Sequence, residues 1–229
     1  MFNDLGVSVL DNAFQGYNAS LFAYGQTGSG KSYSMVGYGS DLGIIPKVCD
    51  LIFKRIESES TEETTYNVEC SMIEIYNEEI RDLLNPSKNP PHGLKIRDHP
   101  KTGPYVEDLT PVLSRSSQDI SALMDKGTAA RTVASTNMNK TSSRAHTIFQ
   151  IIFTQATTNA QTGKTTNKVS KINLVDLAGS EKLSSTGATG DRMKEGININ
   201  LSLTNLGNCI SALSERAKNP KIFVPYRTS

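Results

Sequence analysis

At 229 residues the chain is long enough for one large domain with a real core, and its 37% hydrophobic and 21% charged content is that of a globular protein. No apolar run approaches a membrane span, the start Met1-Phe2-Asn3-Asp4 lacks a signal peptide's layout, and the three scattered cysteines fit neither a zinc site nor a disulfide framework. The net charge of +1 hides a basic last third: residues 164–229 hold ten Lys/Arg against five Asp/Glu, a surface suited to an acidic partner.

In chain order, Val7, Leu10 and Phe14 share one helical face after a cap at Asn3 or Asp4, and Gly16 ends that helix. The apolar run Ser20–Tyr24 reads as a buried strand, and a helix opens at Ser32. Val48, Leu51, Ile52 and Ile56 predict a helix from Ile44 to Ile56 behind the Gly43/Pro46 break. Alternation of Val68, Cys70 and Met72 predicts a strand over Tyr66–Tyr76, followed by a short helix over Glu78–Leu84 and a proline-rich loop to Gly93. Leu94–Ile96 and Tyr105–Val106 read as short strands. Ser116 and Asp119 form a capping box for a helix that closes near Gly127. Thr147–Thr154 and Val169–Leu177 are strands joined as a hairpin through the polar stretch Thr157–Asn167, and Leu203, Leu206, Ile210 and Leu213 mark a last helix. The result is one mixed α/β unit without repeats or linkers.

Three segments carry chemistry. Gly25-Gln26-Thr27-Gly28-Ser29-Gly30-Lys31-Ser32 spells G-x-x-x-x-G-K-[ST] between a strand and a helix, the context in which that pattern binds a triphosphate. Its glycines let successive N–H groups face one concavity, Lys31 reaches the β/γ-phosphates, and the Ser32 hydroxyl is placed for Mg²⁺. Asp176-Leu177-Ala178-Gly179-Ser180-Glu181 follows an apolar strand, where an Asp holds Mg²⁺ through water and a Gly offers its N–H to a γ-phosphate. Asn139-Lys140-Thr141-Ser142-Ser143-Arg144 is a polar loop whose two hydroxyls and guanidinium suit phosphate and metal sensing.

Together these segments resemble the kinesin motor family, in its order and across essentially the whole chain. Phe22-Ala23-Tyr24-Gly25 before the P-loop, the N-x-x-S-S-R first switch ending at Arg144, and the D-L-A-G-S-E second switch all match. So do Ile73-Glu74-Ile75-Tyr76-Asn77, Asn200-Leu201-Ser202-Leu203 and Val224-Pro225-Tyr226-Arg227. Residues 103–109 and 130–137 look most like the third kinesin subfamily, the vesicle transporters. The resemblance implies a P-loop NTPase α/β fold, with a central mixed β-sheet flanked by helices on both faces. It also implies a motor domain incomplete at both ends, lacking the first strands and the final helices, strand and neck linker.

It further implies microtubule-stimulated ATP hydrolysis in the cytoplasm on the cytoskeleton, with microtubules as partner and no nucleic-acid or direct membrane contact. Gly25, Gln26, Thr27, Gly28, Ser29, Gly30, Lys31 and Ser32 bind the phosphates. Tyr33 stands where relatives stack a ring on adenine, although it can equally be buried in the core. Ser32 and Ser143 ligate Mg²⁺, with Asp176 acting through water. Ser142 and Gly179 sense the γ-phosphate, and Arg144 pairs with Glu181 so that Glu181 accepts a proton from the attacking water. The first switch departs from the family at Ala145, where relatives carry a third serine. Two other readings stand beside the motor: a microtubule- or nucleotide-binding fragment without turnover, and a GTP switch, against which the absence of N-K-x-D speaks.

Overall fold

Two alternating apolar faces organise the molecule, seen in a computed structural model that describes residues 2–100, 103–137, 142–181 and 191–226. Strands β1 (Ala19–Ala23), β4 (Thr64–Tyr76), β5 (Glu79–Asp82), β8 (Val112–Ser114), β9 (His146–Thr158) and β10 (Thr165–Asp176) form one sheet in the order β1-β10-β9-β4-β5, with β8 also on β4. Among the described residues only β1 and β10 run parallel; the other pairs are antiparallel, so the sheet is mixed. Alternate residues Val68, Cys70, Met72, Phe149, Ile151, Phe153, Ile172 and Leu174 turn to one face. There they bury Leu10 and Phe14 of α1 (Val7–Phe14), Val48 and Ile52 of α3 (Ile44–Glu59), and Ile120 and Met124 of α4 (Ser117–Asn137). On the opposite face Ile73, Ile80 and Leu94 make a smaller cluster with Ile75 and Ile148. Helix α5 (Asp191–Arg216) meets this side through Ser202, which bonds His146. The expected architecture, a mixed sheet flanked by helices, is what is found.

The predicted elements hold at most positions and differ at three. Residues 2–6 form a π turn that runs straight into α1, so neither Asn3 nor Asp4 caps it; Gly16, at φ 97°, ends the helix as expected. The short helix expected over Glu78–Leu84 is instead β5, hydrogen-bonded to β4. The cause is the turn: Asn77 and Glu78 both have positive φ, 49° and 65°, which folds a two-residue hairpin and overrides helical propensity. The capping box is present, with Ser116 Oγ accepting the Asp119 N–H at 3.1 Å and Asp119 Oδ2 accepting the Arg115 N–H at 2.8 Å. Its helix, however, does not close near Gly127 but continues to Asn137.

Gly127 is a packing glycine: a Cβ there would collide with the Met72 sulfur of β4. Gly127→Ala is therefore expected to destabilise the fold by about 1–2 kcal/mol, because overpacking exceeds the helix-propensity gain of roughly 1 kcal/mol. Thermal melting of the two proteins checks this.

Two small hairpins were not anticipated as such. β2 (Gly37–Tyr38) pairs with β3 (Asp41–Leu42) after α2 (Lys31–Met35), and β6 (Ile96–His99) pairs with β7 (Gly103–Val106) at the surface. The three cysteines are free and buried, and burial pushes the Cys70 thiol up to about 12, so they serve as small apolar side chains. No helix among the described residues is long and apolar enough to cross a membrane.

Candidate nucleotide site

Register brings the site together. Ala23 pairs with Asp176, Asp176 with Thr147, and Thr147 with Glu74, so one row across β1, β10, β9 and β4 ends at a common edge. The glycine-rich loop leaves β1 there, the acidic loop leaves β10, and the serine turn Ser142–Arg144 enters β9. Main-chain bonds close the gaps between them. Leu177 N–H donates to Ala23 O at 3.2 Å, Ser180 N–H to Gly25 O at 3.1 Å, and Gly179 N–H to Ser143 O at 2.7 Å.

Within the P-loop, Gly28 and Gly30 lie in the left-handed region at φ 80° and 86°. A Cβ at either position meets nothing within 4 Å, so the backbone conformation, not crowding, requires glycine there. Helix α2 spans only five residues, so the cradle depends on the loop's own N–H groups more than on a long helix dipole. Lys31 Nζ turns back over the loop, donating to Gly25 O at 2.9 Å and Gln26 O at 2.8 Å. A triphosphate's oxygens are stronger acceptors than these two carbonyls and compete for the same ammonium.

The Ser32 hydroxyl donates to Asp176 Oδ2, in a direct contact. The other carboxylate oxygen, Oδ1, is buried and has no hydrogen-bond partner among the described residues. An ionised group left half-satisfied is costly in a protein interior. A hydrated cation beside it supplies the missing donor. Hard oxygen donors, one hydroxyl and one carboxylate, are the set that Mg²⁺ prefers, so these residues fit that ion. Ser143 enters through its main-chain oxygen, and the side chain of Ser142 lies outside the described residues, as do Asn139–Thr141.

Glu181 makes a contact that the motifs do not announce. Both of its oxygens are taken by Thr27: Oε2 accepts the backbone N–H at 2.9 Å and Oε1 the hydroxyl at 2.6 Å. Thr27 engages it because one P-loop residue offers two converging donors and a carboxylate accepts both at once. Burial raises the Glu181 pKa, but the Thr27 hydroxyl and N–H outweigh it and hold the carboxyl below its ordinary value. Arg144 is half-buried at the end of its 3-10 turn. The Thr27–Glu181 pair lies directly over the Gly179 Cα, where a Cβ would strike both side chains.

Tyr33 is 53% exposed, so its ring is a surface of α2 and not core. Its hydroxyl donates to Asp41 of β3, tying α2 to the small hairpin. Behind the site a cavity of about 300 Å³ runs from Ser32, Thr147 and Asp176 to Val36, Met72 and Phe149.

Two residues here were not singled out as functional from sequence. Arg131 places Nη1 3.9 Å from Asp176 Oδ2 and Nε 3.7 Å from Glu74 Oε1, with all three side chains at most 14% exposed. Its signal is legible afterwards: Ile120, Met124, Gly127 and Arg131 form one stripe of α4, and an arginine on an apolar stripe needs a buried anion. His146 is the other. Its Nδ1 accepts the Ala178 N–H at 3.0 Å and its Nε2 lies 2.9 Å from Ser202 Oγ. Burial depresses its pKa from 6.5 to about 4.

Because the folded form resists protonation more than the unfolded chain, His146 favours folding fully above about pH 6.5 and loses that contribution as pH falls toward about 4. His146→Gln is expected to flatten this acid limb by up to about 3 kcal/mol, read from urea midpoints between those pH values.

The kinesin motor domain model matches residues 1–229. This chain belongs to the kinesin motor domain family. It is 58% identical over 233 residues to Kinesin-related protein 1 of Dictyostelium discoideum, covering 100% of this chain and 11% of that protein. It is 54% identical over 231 residues to the Kinesin-like protein KIF13A of Homo sapiens, covering 100% of this chain and 13% of the relative, and 54% identical to KIF1B of Mus musculus over 239 residues, with the same shares. The subfamily expected from residues 103–109 and 130–137 fits these KIF1 and KIF13 relatives. Among solved structures, KIF14 with ADP in complex with a microtubule superposes at TM-score 0.87 with 46% identity, over 100% of this chain and 64% of that one. A KIF14 dimer with AMP-PNP in complex with a microtubule gives the same values. This kinesin chain thus spans a small part of its curated relatives and about two thirds of the KIF14 chains.

Proposed function

We propose that this kinesin chain is the nucleotide-reading part of a microtubule motor domain that hydrolyses ATP and converts the γ-phosphate state into microtubule affinity and movement. The carrying observation is the shared strand row Ala23–Asp176–Thr147–Glu74, which joins three phosphate-directed loops at one edge. The loop N–H groups and Lys31 bind the phosphates, and Tyr33 offers its exposed ring to the base. Ser32 and Ser143, with Asp176 through water, hold Mg²⁺, which neutralises charge on the β- and γ-phosphates when bound. Glu181 accepts a proton only after leaving Thr27, since its depressed pKa makes it a weak base while both donors are attached. Arg144, in the turn beside Ser143, then serves as its partner.

The microtubule is the acidic partner that the basic last third fits, and the site of action is the cytoskeleton within the cytoplasm. The microtubule-bound KIF14 neighbours support this reading. Sedimentation of the 229-residue chain with stabilised microtubules tests it, comparing AMP-PNP with ADP and measuring phosphate release. Tighter binding with AMP-PNP and microtubule-stimulated release are expected. Binding without any release identifies a binding fragment, and no binding at all rejects the microtubule reading.

A further inference from the structure

Helix α5 is tied to the strand ends by two polar contacts one turn apart. Asn198 Nδ2 donates to Asn77 Oδ1 at 2.7 Å, anchoring the helix to the β4–β5 turn. Four residues on, and so on the same face, Ser202 meets His146. The first contact fastens α5 to the sheet itself. The second fastens it to the nucleotide loops, because the His146 ring also holds the Ala178 N–H.

We propose that His146 is a positioning residue that transmits the state of the loop after β10 to α5, with Nδ1 gripping the Ala178 amide and Nε2–H gripping the Ser202 hydroxyl. The proposal rests on the motor reading above. Hydrogen-bond roles fix its chemistry. A backbone N–H only donates, so Nδ1 must accept and the proton must sit on Nε2. Ser202 in turn donates to Ile199 O at 2.8 Å, leaving its oxygen to accept from His146. The polarity therefore runs one way, from Ala178 through the ring and hydroxyl into the α5 backbone. Burial of the ring keeps it in this neutral form.

Adjacent amides make the device directional. Gly179 N–H is held by Ser143 O at 2.7 Å, and a γ-phosphate would compete for that donor. Ala178 N–H lies one peptide nearer the strand and bonds a side chain instead of main chain. When Gly179 turns toward phosphate, Ala178 keeps its grip and pulls on the imidazole, which pulls on Ser202 while Asn198 acts as the fulcrum.

The test uses the 229-residue chain with His146→Asn, Ser202→Ala, both together, and Ser202→Thr. His146→Asn keeps an acceptor for Ala178 but is too short for Ser202. Expected are nucleotide affinity and basal phosphate release within twofold of the parent. The ratio of microtubule affinities in AMP-PNP and ADP is expected to fall roughly fivefold or more in His146→Asn and in Ser202→Ala, no further in the double, and to stay near the parent's in Ser202→Thr. Nitrogen-15 spectra of the parent are expected to show His146 with a bare Nδ1 and a protonated Nε2. A protonated Nδ1, or an affinity ratio that survives in Ser202→Ala, overturns the proposal while leaving the motor reading intact. A parent with no nucleotide-dependent ratio overturns the motor reading and takes the proposal with it.

Discussion

Gly179→Ala is expected to lower microtubule-stimulated phosphate release by about a hundredfold or more while leaving nucleotide affinity within a few-fold. The added methyl lands on the Glu181 carboxylate as well as the Thr27 hydroxyl, so the proposed proton acceptor is pushed out of its place above this residue. It also crowds the peptide whose N–H donates to Ser143 O at 2.7 Å. Within the P-loop only the Thr27 hydroxyl is struck, so Lys31 and the loop's other donors keep their places and binding survives. Glu181→Ala removes the proposed proton acceptor outright, a loss worth roughly 10²- to 10⁴-fold in such reactions. The two variants are therefore expected to fail alike in turnover and to differ little in a fluorescent-nucleotide titration. Normal turnover in Gly179→Ala would mean that neither the Glu181 carboxylate nor the Gly179 N–H acts from the place where the methyl intrudes.

Lys31→Ala is expected to weaken ATP binding by roughly 10- to 100-fold, the worth of a charge-assisted hydrogen bond to a phosphate. Of its present acceptors, Gln26 O is exposed and can turn to water, and Gly25 O keeps the Ser180 N–H. The melting temperature without nucleotide is accordingly expected to stay close to that of the parent, within about 0.5 kcal/mol of stability. Titration and melting together separate a lost phosphate ligand from a damaged fold. Unchanged affinity would remove the lysine from the site.

Much of this arrangement could be read from the chain. The P-loop declared itself through a motif set between an apolar strand and a helix start, and Asp176 through its place at a strand end. Both are local patterns, and local patterns survive into structure. What escaped was tertiary. Glu78–Leu84 is rich in helix formers, yet the paired positive φ of Asn77 and Glu78 turns it into a strand against β4. Gly127 looked like a stop because glycine is a poor helix former, whereas Met72 across the interface is the reason for it. Arg131 and His146 carry single-residue signals whose meaning depends on strand register, which no spacing along the chain reveals. The Thr27 contacts of Glu181 likewise have no signal along the chain, since 154 positions separate the two residues.

The row Ala23–Asp176–Thr147–Glu74 draws on four strands scattered over more than 150 positions of the chain. No short stretch can assemble the pocket floor early and wait for the rest, so folding must close long loops before any phosphate site exists. Once formed, the site belongs to the cooperative unit as a whole. Ligand added at a hundred times its dissociation constant therefore raises the stability of the entire sheet by about 2.7 kcal/mol, and protection of its amides from hydrogen exchange rises together, strand by strand, from one edge to the other.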